Sequence, residues 1–158
     1  MKKIVIIVGT RPNFIKITQF PKVFRKYRKF EYKIVHTGQH YDDAMSTIFF
    51  KQFGIQPDIY LGIGQGSQTA QVAEMIKKFE SVFVDYRPDL VMVVGDVNST
   101  FAGAFTAKKM NIKIAHVESG LRSFDQSMPE EWNRILTDSM ADFLFVTEQS
   151  GIQNLKKE

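Results

Sequence analysis

Cysteine is absent from the 158 residues. That excludes disulfides, thiolate nucleophiles and cysteine-rich metal sites, and it fits a reducing compartment. Histidine is scarce, with three residues, so a metal centre is not expected. No G-x-S-x-G elbow occurs, which leaves nucleophilic acyl transfer without a candidate. No stretch approaches the ~20 apolar residues of a membrane helix. The opening "MKKIVIIVGTR" has an apolar run of only five residues before Gly9 and Arg11, too short for the core of a signal peptide. A cytoplasmic protein is expected. Repeats, low-complexity tracts and linkers are missing too.

Two phosphate-loop patterns also fail. "GTRPNFIK" (9–16) lacks the G-x-x-x-x-G-K-[ST] spacing, and "GIGQGS" (62–67) reads G-x-G-x-G rather than G-x-G-x-x-G. No nicotinamide cofactor is expected, nor any other.

What is present is ordinary for one globular domain, with 44% hydrophobic and 24% charged residues in a chain long enough for a sizeable core. The net charge of +4 is concentrated in "KVFRKYRKFEYK" (22–33). Aromatic and basic residues alternate there as on an amphipathic helix running into a strand, so we read a solvated face and no nucleic-acid partner.

Near-continuous β-branched and apolar runs mark buried parallel strands at 3–9, 32–38, 90–96 and 112–118, with a similar fifth run at 142–148 and a weak one at 58–63. Between them, apolar residues recur at helical spacing. Val72, Met75, Ile76, Phe79, Val82, Phe83 and Tyr86 mark a helix over 68–87, and Trp132, Ile135, Leu136 and Met140 mark another. Shorter helices are expected at 99–110 and 13–29, the latter kinked by Pro21. The alternation predicts an α/β fold, a doubly wound parallel sheet of Rossmann-like order 3-2-1-4-5-6. Ligands bind such sheets where the connections diverge, at the carboxyl ends of strands 1 and 4.

The polar residues gather at those ends. Strand 1 leads into Gly9, Arg11, Pro12 and Lys16, strand 4 into Gly95 and Asp96, and strand 5 into His116, Glu118 and Arg122. Pro near a helix start, with Arg11 and Lys16 beside it, suits an anion site. Asp96 is either a helix-cap carboxylate or a reactive one. Glutamate is rarely buried without a partner, and alternation puts Glu118 on the side of His116, which is either a satisfied core histidine or the residue that orients it. Glu130 fits a capping box with Ser127 as N-cap and is equally a candidate for chemistry. Glu131 and Asp125 read as solvated acids, and Arg134 as an i, i+4 partner of Glu130. Carboxylates beside an anion site point to proton transfer or expulsion of a phosphate-type leaving group.

In order and spacing, "GTRPNFIK", "HTGQH", "GDVNST", "HVESGLRS" and "MPEEWNRILTD" resemble UDP-N-acetylglucosamine 2-epimerases of the non-hydrolysing type, and related enzymes acting on UDP-diacetamido sugars. The resemblance runs the length of the chain. It implies the N-terminal half of a glycosyltransferase-B-type fold of two Rossmann-like domains, with the C-terminal nucleotide-binding domain not in this chain and the isolated domain inactive. It further implies Asp96, Glu118 and Glu130 as acid/base carboxylates. Arg11, Lys16, Gln39, His40 and Arg134 become substrate-binding residues. The implied reaction eliminates UDP to a 2-acetamidoglucal and re-adds it with C2 inverted, in the service of cell-surface polysaccharide synthesis. The implied partners are a UDP-sugar and, as is typical of the family, a second copy of the chain.

Overall fold

Residues Ile4 to Val8 of strand β1 (Lys2–Val8) are all buried. An alternating strand could not show this, because successive side chains point to opposite faces. Here both faces are covered. The computed structural model describes residues 1–38 and 53–158. Within them β1, β2 (Phe30–His36), β3 (Ile59–Tyr60), β4 (Leu90–Val94), β5 (Lys113–Val117) and β6 (Phe143–Phe145) form one parallel sheet in the order β3-β2-β1-β4-β5-β6. This is the predicted order.

The connections after β1 and β4 take opposite faces. Helices α1 (Arg11–Ile17) and α2 (Phe20–Tyr27) supply Phe14, Ile17 and Phe24 to a core under Ile4, Ile6, Val8, Ile34 and Met92. On the other face α3 (Gln68–Tyr86) and α4 (Asn98–Lys109) pack Phe79, Phe83, Ala102 and Ala104 against Val5, Ile7, Val35, Val91 and Val93. Helix α5 (Pro129–Met140) lies beside α4, and α6 (Gln149–Leu155) follows β6. In α4 the small residues matter: a Cβ on Gly103 would sit 2.3 Å from Ile7 Cδ1, so this helix rides close on β1.

Two expectations need correction. The single helix over 13–29 is two helices. Pro21 stands in the first turn of α2 rather than inside a helix, where its missing N–H costs nothing. The fifth run is not a buried strand either. Phe143, Leu144 and Phe145 are 51%, 40% and 49% exposed, because β6 is the sheet edge. The basic stretch 22–33 does run from an amphipathic helix into a strand, with Phe24 buried and its Lys and Arg neighbours on α2 exposed. Among the described residues no helix is long and apolar enough to cross a membrane.

Phe79 is fully buried and stacks on Phe83 with centroids 5.9 Å apart. Phe79→Ala is expected to cost about 3–5 kcal/mol through the cavity it leaves, read as a lower midpoint of urea unfolding, and Phe79→Leu clearly less. Equal losses would mean that lost volume is not the cause.

Candidate active site

Strands β1, β4 and β5 end at Val8, Val94 and Val117, so the turns that follow them stand at the carboxyl edge of the sheet. After β1, Gly9 passes close to its neighbours: a Cβ there would lie 2.3 Å from Ser99 Oγ and 3.3 Å from Thr37 Oγ1. Asn13, in the first turn of α1, fixes this exit. Its Oδ1 accepts from the amides of Gly9 and Thr10 at 3.2 and 3.0 Å, and its Nδ2 donates to the Val94 carbonyl at 3.1 Å. The amide side chain thus ties the end of β1 to the end of β4. Asn13 was not a candidate from the sequence: its bond back to the Thr10 amide completes a capping box whose usual signature has Glu or Gln at that position.

Lys16 lies one turn further along α1. Its ammonium pairs with the Glu118 carboxylate and sits about 3.5 Å from where a Cβ on Gly95 would be. One cation therefore joins the exits of β1, β4 and β5. Both partners are partly exposed, Lys16 by 32% and Glu118 by 25%, so the pair borders a solvent-open crevice. Glu118 adopts φ +70°. That left-handed residue ends the strand alternation, and Glu118 does not share the surroundings of His116 as the period-two reading had it. His116 is instead a satisfied core residue, with Nε2 2.8 Å from the Gly95 carbonyl oxygen and Nδ1 2.5 Å from Asp138 Oδ1.

Asp96 follows Gly95, and its carboxylate pairs with Arg134. The cap reading fails for it: the N-cap of α4 is Val97, without a side-chain bond. Asn133 holds the same turn from α5, donating from Nδ2 to the Asp96 carbonyl at 2.9 Å. Glu130, at the start of α5, lines a cleft of about 290 Å³ with Gly9, Thr10, Thr37, Asn98 and Ser99. Two ion pairs, Lys16 with Glu118 and Arg134 with Asp96, thus stand at the exits of β5 and β4, and Glu130 lines a cleft at the exit of β1. Arg11 opens α1 at the same crevice, but its side chain lies outside the described residues, as do Gln39 and His40.

Helix α5 overturns three sequence readings. Ser127 is not its cap, since the N-cap is Met128. Ser127 is occupied elsewhere: its amide and hydroxyl both donate to Asp125 Oδ1, at 2.9 and 2.6 Å. Arg134 pairs with Glu131 at 2.9 Å and with Asp96, not with Glu130. Glu131 is no solvated acid. It is 1% exposed and accepts from the amides of Ser123 and Phe124, both at 2.9 Å. The spacing of Glu131, Arg134 and Asp138 was the available signal, for residues three and four apart share a helix face. Arg122 is likewise drawn away from the crevice. Its guanidinium, 2% exposed, pairs with Asp138 at 2.7 Å and Glu158 at 2.6 Å.

Comparison with known proteins identifies a family. The profile of the family described as UDP-N-acetylglucosamine 2-epimerase matches residues 22–158. A Methanococcus maripaludis protein described as a UDP-N-acetylglucosamine 2-epimerase homolog is 53% identical over 99% of this chain and 43% of its own length. The UDP-2,3-diacetamido-2,3-dideoxy-D-glucuronate 2-epimerase of Pseudomonas aeruginosa is 47% identical, over 99% of this chain and 44% of its own. The Methanocaldococcus jannaschii UDP-GlcNAc 2-epimerase, solved in complex with UDP-GlcNAc and UDP, superposes with a TM-score of 0.92 at 42% identity, covering 98% of this chain and 43% of that one. The chain thus spans less than half the length of the relatives it matches.

Glu131 has a consequence for acid stability. Burial alone would raise its carboxyl, but the Ser123 and Phe124 amides and the Arg134 guanidinium outweigh burial and hold it at about 2, against an ordinary 4.5. A value depressed in the folded state adds stability above the unfolded value and loses it as the pH falls through the folded one. Between pH 4.5 and 2 the loss from this group is expected to be on the order of 2–3 kcal/mol. Glu131→Gln should be less stable at neutral pH and show a flatter profile across that window in urea titrations. Parallel profiles would show that the acid sensitivity lies elsewhere.

Proposed function

Since the chain belongs to the UDP-N-acetylglucosamine 2-epimerase family, we propose that it carries the acid/base carboxylates of an enzyme inverting C2 of UDP-N-acetylglucosamine. The observation that supports this reading is the pairing of Glu118 with Lys16 and of Asp96 with Arg134 at neighbouring strand exits, with Glu130 on the cleft beside Gly9 and Thr10. In the forward direction a carboxylate takes the C2 proton. The C–H electrons form the C1–C2 double bond, and the C1–O electrons leave with UDP. The resulting 2-acetamidoglucal takes UDP back at C1 and a proton at C2 from the opposite face.

Carboxylates suit both halves of this cycle. They remove a weakly acidic proton and stabilise the positive charge that builds at C1. Lys16, Arg134 and Arg11 balance the diphosphate, the Arg fork being well matched to phosphate oxygens. Gln39 and His40 complete the sugar-nucleotide contacts. The domain works with a second, nucleotide-gripping domain of the glycosyltransferase-B kind, in a cytoplasmic homodimer that supplies activated sugars for surface polysaccharides. A second reading, an epimerase for a UDP-diacetamido sugar, draws on the Pseudomonas aeruginosa relative.

Fusing this chain to the remaining part of the Methanocaldococcus jannaschii enzyme provides the test. Incubated with UDP-N-acetylglucosamine in D2O, the fusion is expected to place deuterium at C2, followed by NMR, and residues 1–158 alone to place little. Glu118→Gln should slow exchange by roughly 10²–10⁴-fold while UDP still binds in a titration. Exchange with only the diacetamido substrate would favour the second reading. Undiminished exchange in Glu118→Gln, or none with either sugar, would overturn the assignment and leave a binding module.

A further inference from the structure

His116 is completely buried between two acceptors. The Gly95 carbonyl oxygen lies 2.8 Å from Nε2, and Asp138 Oδ1 lies 2.5 Å from Nδ1. A carbonyl can only accept, so Nε2 carries a hydrogen. The other oxygen of Asp138 accepts from the Gly120 amide at 3.0 Å and from Arg122 at 2.7 Å. Burial works against ionisation of Asp138, yet the bonds and charge of His116, Arg122 and the Gly120 amide hold its carboxyl below the ordinary range. Two facing lone pairs would repel at 2.5 Å, so the contact between Nδ1 and Asp138 Oδ1 holds a hydrogen as well.

The outcome is one unbroken run of hydrogen bonds from the Gly95 carbonyl through His116 and Asp138 to the Gly120 amide. One end is the residue before Asp96. The other is two residues after Glu118. Both terminal glycines are left-handed, at φ +73° and +81°, so each marks a turn. Gly120 has no freedom to move toward α6, since a Cβ there would lie 2.5 Å from the Gly151 carbonyl oxygen. Asp138 also sits four residues after Arg134, which holds the Asp96 carboxylate, on the α5 face that carries Glu131.

We propose that His116 and Asp138 are positioning residues that fix the separation of the turn carrying Asp96 from the turn carrying Glu118. A histidine that merely fills the core would stabilise both turns independently. One that bridges them couples their geometry, so a change at either residue is felt at both carboxylates. The coupling of the turns stands on the hydrogen-bond geometry alone, whereas its consequence for C2 chemistry rests on the epimerase reading.

The test has two arms. In the first, 15N-labelled protein is observed by NMR. Wild type is expected to show a slowly exchanging hydrogen in each of the two bridges of His116, to the Gly95 carbonyl and to Asp138. In Asp138→Asn the amide resonances of Asp96 and of Glu118 should move together, while those of α3 stay in place. A bridge without a hydrogen, or perturbation confined to one turn, overturns the proposal. Should Asp138→Asn fail to fold, the wild-type ring signals still decide it. The second arm measures C2 deuterium exchange in the fusion described above. Asp138→Asn is expected to lower kcat by roughly 10- to 100-fold with little change in KM. An unchanged kcat would overturn the catalytic consequence. A wild-type fusion without exchange would count against the epimerase reading alone, because the NMR arm judges the clasp independently.

Discussion

Two ion pairs organise the crevice, Lys16 with Glu118 and Arg134 with Asp96. A parallel sheet sends every chain exit to one edge, and ionised groups brought together at a partly buried edge must be paired to be tolerated. Each pair here joins segments far apart in the chain. Lys16 reaches from the first helix to the end of β5, and Arg134 reaches from α5 back to the end of β4. Each pair therefore ties two elements together at the carboxyl edge of the sheet.

Helix α5 is the brace behind these pairs. Its first turn presents Glu130 to the cleft. Its buried face then uses Glu131 to hold the loop after β5, Asn133 and Arg134 to hold the turn after β4, and Asp138 to hold His116 and Gly120. The division of labour within the Glu130–Glu131 pair follows from helix geometry. Adjacent residues point about 100° apart, so one faces the cleft and the other the protein.

Burial on both sheet faces gives this arrangement a rigid base. The alternate side chains of β1 feed two separate cores, Ile4, Ile6 and Val8 on one side and Val5 and Ile7 on the other. Asn13 then extends the coupling of β1 and β4 past the last backbone pairing, by bonding across to Val94.

The amino-acid pattern by itself determined the α/β class and the sheet order. Continuous apolar runs, helical spacing and exit glycines are local signals, and they respond to the same physics that covers both faces of a parallel sheet. Lys16, Asp96, Glu118, Glu130 and Arg134 were named from their place after buried strands and from the family motifs, and the structure brings Lys16 to Glu118 and Arg134 to Asp96. Only the tertiary structure decided which charges pair. Glu131 looked like a solvated acid and is buried, Arg122 looked like a crevice cation and is locked beneath it, and His116 clasps two turns rather than touching Glu118. Partner choice depends on distances of a few ångströms between segments remote in sequence. Such distances are set by how helices pack, and no spacing along the chain encodes them.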